Sequence, residues 1–561
     1  MQNANSVTPA TEAQFQNASG GRGHLDLGGQ VYPHVFAREL RDARGYQTAY
    51  FGKCMNSGCG EAADVPHGQS LRQNGAFMRW FEPIRLESVS SGSSSTTLED
   101  AFFDSEAAGC VWHPDRGYDG ECTLRIGEHT PGSGYSTSEI GNATASWVSS
   151  LAQAARTSGV RVPWMSVLAV EAPKLIPAPW HWSRRGGYPL SGPCVAAIAP
   201  RLPSWNHTGP RPPQEQCSHV IPTSSVDALP VMTASSSDEP FHELIACQPP
   251  LTVWEAGYVD RIAKRRCASM MAVDDSISGV LDAITTAGEG ANTYVMMTSD
   301  HGFTLGHHGL PREKGFLYEH NLRVPMLISG PGIAAGVTST LMGSHVDLAP
   351  TILALANIAT PPLMDGQSLV PSIITNLAAA PPPVRAYVNA VGITHRAATL
   401  DHQLVMHYNQ GPYVRTHASV TRYYDDWSNT FVGLVTRSAR GMLKLGVYDP
   451  YGKQTAFSRP NAHELFNLTA DPFETLNVYE RIRAADPQLV AAMHLKVREM
   501  QACRGVACTA AATTALTAEA APLPLPAMCA AQSGQLATQT GQQTECERCL
   551  ARSSFCPTCV A

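Results

Sequence analysis

The chain of 561 residues lacks long apolar runs, and none approaches the ~18 residues that a membrane-spanning helix requires. It also lacks a strong charge of either sign, because its formal net charge is −7 at pH 7 and its pI is about 6.3. These absences exclude a membrane span and give no overall reason to expect nucleic acid or an anionic membrane as a partner. We therefore expect a soluble protein in which any attraction for an anionic ligand is local.

The beginning of the chain, MQNANSVTPATEAQ, lacks the basic start and the apolar core of a secretory signal peptide. Yet the 15 cysteines, and the glycosylation sequons at Asn17, Asn142, Asn206 and Asn467, are typical of an oxidising secretory compartment. We therefore predict an extracellular or secretory protein whose true amino terminus is missing. A chain that stays in the cytoplasm is the alternative.

Length and composition predict one large domain and a smaller one, since 43% of the residues are hydrophobic. We place the large domain at residues 1–377, a linker (AAAPPPV) at 378–384 and the smaller domain at 385–508. The remainder, 509–561, is a tail whose Ala/Thr/Pro-rich part is predicted to be disordered.

Cysteines near the carboxyl end are expected to form disulfides. The tail holds paired CxxC motifs at Cys546, Cys549, Cys556 and Cys559. Zinc is the alternative, but zinc ribbons usually have a longer separation between the two pairs. Cys503 and Cys508 are predicted to form a local bridge.

Hydrophobic periodicity predicts an alternation of helices and strands over the first part of the chain. Helices are expected at Tyr32–Ala43, Ser146–Ala155, Val259–Thr286 and Asp347–Ile358, and strands at Gln47–Phe51, Val160–Val170, Tyr294–Met297 and Val324–Ser329. Apart from its helix, the stretch from Ser57 to about Gly159 is interpreted as a surface insertion. Alternating stretches at Tyr413–Tyr424, Thr430–Thr436 and Met442–Tyr448 predict an antiparallel sheet.

The most informative stretch follows the apolar run Tyr294–Met297. That run stops abruptly at Ser299, Asp300, His301 and Gly302, as a buried parallel strand does at its carboxyl end. Ligands of open α/β sheets bind at this edge. Lys314 follows a Gly/His loop, so an oxygen-rich strand end is expected to face a lysine that can bind an anion.

Four motifs occur in order and at close spacing: TSDHG, LPREKG, YEHNLRVPMLISGPGI and SHVDLAPTILALANI. With them the chain resembles the sulfatases, most of all the extracellular arylsulfatases of green algae and the glucosamine-6-sulfatases. The resemblance extends unevenly from about Tyr32 to about Cys508. It implies an alkaline-phosphatase-like α/β fold, with a mixed, mostly parallel sheet flanked by helices and a smaller antiparallel α+β subdomain. It also implies a sulfuric ester hydrolase with aryl or carbohydrate substrates, a glycosaminoglycan-like polysaccharide among them.

The resemblance implies roles for individual residues. The catalytic residues would be Lys53 of FGKCMN and Lys314, both on the sulfate, and His308, which would protonate the leaving oxygen; Asn56, Lys174 and His181 would bind substrate. Lys174 departs from the family, which usually has His after this Ala-Pro. Without the resemblance, Lys53 would be interpreted as a solvated lysine after a strand.

The resemblance also makes Asp300 and His301 ligands of one calcium ion. Histidine is an unusual calcium ligand, so zinc or another transition metal stays open, as does a polar loop without a metal. The family's two further amino-terminal Asp ligands are missing from the chain, so the site is incomplete.

The nucleophile of the family is a formylglycine made from the Cys or Ser of a CxPSR-type motif, and no cysteine here stands in that context. The family places this motif, the signal peptide and the first strand before FGK. One truncation therefore explains all three losses more simply than a pseudoenzyme does. We expect this 561-residue chain to be inactive and weakly folded. The alternatives are a non-catalytic binder of sulfated glycans that uses Lys53 and Lys314, and a phosphodiesterase or phosphonate hydrolase of the same superfamily.

Overall fold

The computed structural model describes the chain in segments separated by gaps. They are residues 35–53, 76–84, 101–104, 112–113, 117–118, 136–170, 172–173, 251–310, 314–362, 364–391, 401–407, 413–417, 420–425, 429–438, 440–449 and 457–516. The predicted site residues Asn56, Lys174 and His181, and the tail cysteines, lie outside these segments.

The first part of the chain contains both helices and strands. The strands are β1 (Gln47–Gly52), β2 (Arg79–Ile84), β3 (Ala101–Asp104), β4 (Trp112–His113), β5 (Gly117–Tyr118), β6 (Trp164–Ala169), β7 (Val295–Thr298) and β8 (Met326–Ser329). The helices are α1 (Phe36–Arg44), α2 (Ser136–Ser158), α3 (Val253–Thr286), α4 (Glu319–Leu322), α5 (Leu348–Leu355), α6 (Val370–Ile373) and α7 (Pro382–Val391). Among the described residues, the predicted alternation holds only from α2 to α5, because β1 to β5 follow one another between α1 and α2.

The main sheet is mixed and mostly parallel, in the order β3-β2-β1-β6. β1 pairs in parallel with β2 and with β6, whereas β3 is antiparallel to β2. The prediction of a surface insertion between residues 57 and 159 is therefore wrong for β2, which lies beside β1. Short strands separated by polar stretches gave no periodicity long enough to reveal this pairing.

Helices cover both faces of β1, which explains why its residues are apolar on both sides. Phe36 and Leu40 of α1 pack with Tyr50 on one face, and Ile140 of α2 packs with Phe51 on the other. α1 ends at Arg44, one residue beyond the predicted end, and Gly45 follows it in the left-handed conformation.

β7 pairs with β8 in an antiparallel arrangement, with Val295 opposite Ser329 and Thr298 opposite Met326. The prediction of a buried parallel strand is therefore wrong, and Leu327 of β8 is 57% exposed. A parallel pair needs a crossover, usually an α-helix. The connection here contains the single turn α4, and the chain returns in the opposite direction.

The carboxyl-terminal region is antiparallel, as predicted. Its strands are β9 (His402–His407), β10 (Tyr413–His417), β11 (Val420–Asp425), β12 (Phe431–Ser438), β13 (Gly441–Tyr448) and β14 (Ala462–Asn467), and its helices are α8 (Tyr479–Ala485), α9 (Pro487–Ala502) and α10 (Val506–Thr513). Four strands form a sheet in the order β14-β13-β12-β9. Its apolar core includes Leu445 and Leu465 of the sheet and Met493 of α9. The predicted α/β fold with a smaller antiparallel α+β region is confirmed.

Helices occupy the expected linker and the start of the expected tail. The expected linker contains the start of α7, and Val384 and Val388 of that helix are buried in the core. The expected tail begins inside α10, whose Ala512 packs in the carboxyl-terminal core. Proline is tolerated in the first turn of a helix, and alanine favours helices. A composition rich in these residues therefore does not by itself indicate a linker or a disordered tail.

The local bridge between Cys503 and Cys508 is confirmed, with a Cα–Cα distance of 5.0 Å. Cys267 of α3 is also disulfide-bonded. Among the helices that the structure describes, none combines the length and apolarity needed to cross a membrane.

Candidate functional site

Lys53 lies at the carboxyl end of β1, as predicted. Its backbone N–H donates to Ala169 O at 2.7 Å, and its carbonyl accepts from the Tyr50 hydroxyl at 2.7 Å. Gly52 has a φ of 111°, and a Cβ there would lie 2.1 Å from Ala169 O. A glycine is thus required to turn the chain out of the strand and place Lys53 at the sheet edge.

The loop after β7 is held by backbone hydrogen bonds to α4. Gly302 N–H donates to Asn321 O at 2.8 Å, and Phe303 N–H donates to His320 O at 2.9 Å. A Cβ at Gly302 would lie 2.0 Å from His320 O, so only glycine permits this approach. The backbone of the TSDHG motif is therefore packed directly against YEHNL.

Asp300, His301 and Lys314 come together, as the motif spacing predicts. Lys314 Nζ lies 2.8 Å from His301 Nε2, and His301 Nε2 lies 3.3 Å from Asp300 Oδ2. The Asp300 side chain is 75% exposed. An ammonium, an imidazole and a carboxylate thus form one polar group at the end of β7.

Both ring nitrogens of His301 have polar neighbours. Its Nδ1 lies 2.6 Å from Gly302 O. Its Nε2 lies near both the Lys314 ammonium and the Asp300 carboxylate. These contacts hold the imidazole ring in place at the end of β7.

The donor set around Asp300 does not fit calcium among the described residues. Calcium takes 6–8 oxygen ligands, and this group offers one carboxylate together with an imidazole nitrogen. Lys314 also holds a positive charge at the nitrogen that a metal would use. The described residues therefore supply part of a metal site at most, and no chemical step is derived through calcium.

Arg266 of α3 links the loop after β7 to the backbone at Pro173. Its Nη1 donates to Pro173 O at 2.9 Å, and its guanidinium lies 4.4 Å from the centre of the Phe303 ring. Burial lowers the pKa of Arg266 to about 10, so it stays charged at neutral pH. Through this residue the turn that precedes Lys174 is held beside the TSDHG loop.

His308 is not in the polar group at Asp300 but lies deeper. It is 1% exposed, and its ring centre lies 4.1 Å from that of Tyr318. That burial argues against proton transfer to a substrate at the surface, so its proposed role as the leaving-group acid stays a prediction without geometric support.

A buried charged network lies behind the loop, where the carboxyl-terminal sheet packs against α4. Lys444 of β13 is fully buried, pairs with Glu474, and contacts Glu319 Oε1 at 3.1 Å. Glu474 Oε2 accepts the N–H of Glu319 at 2.7 Å. Tyr318 OH donates to Glu464 at 3.2 Å. The network fixes α4, and with it the loop that carries Asp300.

Sequence reasoning missed Arg266, His345 and the Lys444 network. His345 Nε2 lies 2.8 Å from Ser299 O and so contacts the end of β7. Its motif, SHVD, carries no local signal of this contact. Arg266 stands in a run of basic residues that resembles a solvated helix face. Lys444 stands in a strand of alternating pattern. The sequence around neither residue indicates its contacts.

Residues 202–358 match the sulfatase family. Among curated proteins, the chain is 29% identical over 272 residues to human N-acetylglucosamine-6-sulfatase, covering 46% of this chain and 44% of that enzyme. It is 28% identical over 260 residues to the arylsulfatase of Volvox carteri, covering 45% and 36%. The chain thus matches less than half the length of these relatives.

Among solved structures, the chain is similar to a protein in complex with its substrate D-glucosamine-2-N,6-O-disulfate. The TM-score is 0.43 with 19% identity, covering 83% of this chain and 81% of that one.

Proposed function

We propose that the whole protein hydrolyses sulfate esters of carbohydrates or aryl compounds, because residues 202–358 match the sulfatase family. Relatives named for N-acetylglucosamine-6-sulfate and for aryl sulfates support these two substrate classes. The carbohydrate sulfate ester would be part of a glycosaminoglycan-like polysaccharide. The proposed location is outside the cell, because the cysteine content and the glycosylation sequons are typical of secreted proteins.

The observation that carries this proposal is the group formed by Lys314, His301 and Asp300 at the end of β7. A sulfate ester carries its charge on oxygen atoms, and a lysine ammonium binds such an anion as a point charge. Lys314 supplies that charge, and the imidazole contact at 2.8 Å directs it toward the loop. Lys53, at the end of β1, is proposed to bind the same ester from the other strand.

In the proposed chemistry these residues bind and orient the ester. Fixed positive charge near the sulfur-bound oxygens stabilises the charge that develops during hydrolysis. The family's formylglycine would supply the nucleophile, and its metal would hold the oxygens. The 561 residues contain no cysteine in a CxPSR-type context, so we assign recognition of the sulfate ester, and no bond-breaking step, to this chain.

Ligand binding to the purified chain tests the proposal. We expect N-acetylglucosamine-6-sulfate to bind more tightly than unsulfated N-acetylglucosamine in calorimetric titrations, because only the ester provides an anion for the lysines. Equal affinity for the two sugars would overturn it. Tighter binding of the corresponding 6-phosphate than of the sulfate would favour the phosphodiesterase alternative.

A further inference from the structure

A second group of potential metal ligands lies behind the loop, apart from Asp300 and His301. A nitrogen of His308, a nitrogen of His320 and a carboxylate oxygen of Glu474 all lie within 4.8 Å of one another. His308 and Glu474 are each 1% exposed. Among the residues that the structure describes, no other group of three His, Cys, Asp or Glu side chains brings its ligand atoms this close together.

We propose that His308, His320 and Glu474 form a zinc-binding site. Two imidazoles and one carboxylate are a ligand set that zinc takes in proteins, with a fourth position left for water. Calcium and magnesium prefer oxygen ligands, so this set discriminates against them. Ligand atoms around tetrahedral zinc lie about 3.4 Å apart, given Zn–N distances of about 2.0–2.1 Å. The three ligand atoms, which lie within 4.8 Å of one another, are thus no more than about 1.4 Å further apart than in such a site.

Backbone conformation supports the site. His308 has a φ of 53° and Glu474 a φ of 57°. Left-handed conformations are costly for residues other than glycine, and they cluster at functional sites, where the surrounding structure imposes them. Among the described residues, Asn357 and Phe457 are the other non-glycine residues with positive φ. Two of the three proposed ligands are thus held against their local preference.

A ring nitrogen is available for the metal. His320 Nε2 is buried and makes no hydrogen bond within the described part of the chain. The ring of His320 stacks on that of His307 with 4.1 Å between centres, which fixes its plane.

The charge of the network also favours a cation. Lys444 is fully buried and faces two carboxylates, those of Glu319 and Glu474. One ammonium against two carboxylates leaves a negative charge in a region where uncompensated charge is costly. Each carboxylate oxygen has more than one lone pair, so Glu474 can keep its contacts with Lys444 and with the Glu319 N–H while it binds a metal.

A zinc ion there would join three separate parts of the chain: the Gly/His loop, α4 and the segment after β14. Metal binding to a site that exists only in the folded state adds to folding stability. The proposed role is therefore structural, since the ion would hold the loop that carries Asp300 against the carboxyl-terminal sheet.

Zinc titration of the full chain tests the proposal. The protein is treated with chelator, saturated with calcium and titrated with zinc by calorimetry, and thermal midpoints are measured with and without zinc. We expect the parent chain to bind one more equivalent of zinc than His320→Gln or Glu474→Gln, and zinc to raise the thermal midpoint of the parent but not of these two variants. Asp300→Asn is the matched control and should keep that equivalent.

Equal zinc stoichiometry in the parent and in both variants would overturn the site, as would a parent that binds none. Should both variants fail to fold, zinc-edge X-ray absorption of the parent decides. Two imidazoles and one carboxylate oxygen support the proposal, whereas sulfur ligands would assign the zinc to cysteines and overturn it. None of these readouts involves a sulfated ligand, so they are independent of the proposed function.

Discussion

At the scale of single residues, the candidate site depends on two glycines that allow backbones to approach. Gly52 contacts Ala169 O and Gly302 contacts His320 O so closely that neither position has room for a Cβ. Gly52 lies immediately before Lys53, and Gly302 immediately after His301. Backbone geometry at these two positions therefore places the proposed anion-binding groups.

Gly52→Ala should destabilise the fold more than Gly45→Ala. Gly45 has a φ of 67° with open space around its Cβ position, so alanine there meets only the conformational cost, about 1 kcal/mol. At Gly52 the clash with Ala169 O adds to that cost, and we expect a total of about 2–4 kcal/mol. Urea unfolding of both variants measures the difference, and equal losses would contradict it.

Lys314→Ala should weaken binding of a sulfated ligand roughly 10- to 100-fold, because a hydrogen bond to a charged group contributes about 1.5–3 kcal/mol. Lys264→Ala is the matched control, since it removes the same charge from α3 and should change the affinity little. Isothermal titration with N-acetylglucosamine-6-sulfate provides the measurement. Similar losses in the two variants would mean that only net charge matters.

At the scale of secondary-structure elements, the carboxyl-terminal region buries histidines between β14 and its helices. Tyr479 OH lies 3.1 Å from His494 Nε2, and the ring of His463 stacks on that of Tyr479 with 4.5 Å between centres. Burial lowers the pKa of His463 to about 3 and that of His494 to about 4. Both are therefore neutral in the folded protein at moderately acidic pH.

This arrangement predicts acid destabilisation. In the unfolded chain these histidines bind protons near pH 6.5, whereas in the folded chain they resist protonation until about pH 4 or below. Stability is therefore lost as the pH falls from about 6.5 to 4, on the order of 3 kcal/mol from His494 alone. Thermal midpoints at several pH values check this.

His494→Gln should lower stability at neutral pH, because it removes ring contacts, but should flatten the pH dependence between 6.5 and 4. Glutamine does not titrate and can still hydrogen-bond to Tyr479. An unchanged slope in the variant would show that other groups cause the acid effect.

At the scale of the whole molecule, the proposed anion-binding groups are present in this chain without the nucleophile motif that the resemblance implies. The ammonium, imidazole and carboxylate of the site are assembled at one sheet edge. The covalent nucleophile of the family has no counterpart among the cysteines. Apolar surface also remains exposed on β8, where Met326 and Leu327 are 39% and 57% exposed.

The purified 561-residue chain should therefore show no turnover of an aryl sulfate above background, because covalent catalysis needs an activated nucleophile. A fluorogenic aryl sulfate measures this, with an active sulfatase as the positive control. Measurable turnover that is lost in Lys314→Ala would contradict the prediction and identify a different nucleophile. Weak folding also stays a prediction, and a cooperative melt at high temperature would count against it.

The sequence by itself determined the local elements and the composition of the site. Apolar periodicity predicted α3, β1 and the antiparallel strands of the carboxyl-terminal sheet, because the period of buried residues depends on local geometry. Cys503 and Cys508 are close enough in sequence for their bridge to be inferred. The motifs likewise identified Asp300, His301 and Lys314.

Tertiary structure alone decided which elements pair and which charges meet. The antiparallel pairing of β7 with β8, the position of β2 beside β1 and the packing of α7 depend on contacts between distant parts of the chain. The same holds for His308, to which the resemblance gave the role of leaving-group acid and which lies buried near Glu474. Periodicity records whether a side chain is buried but not which partner covers it, and this is why the buried network could not be predicted.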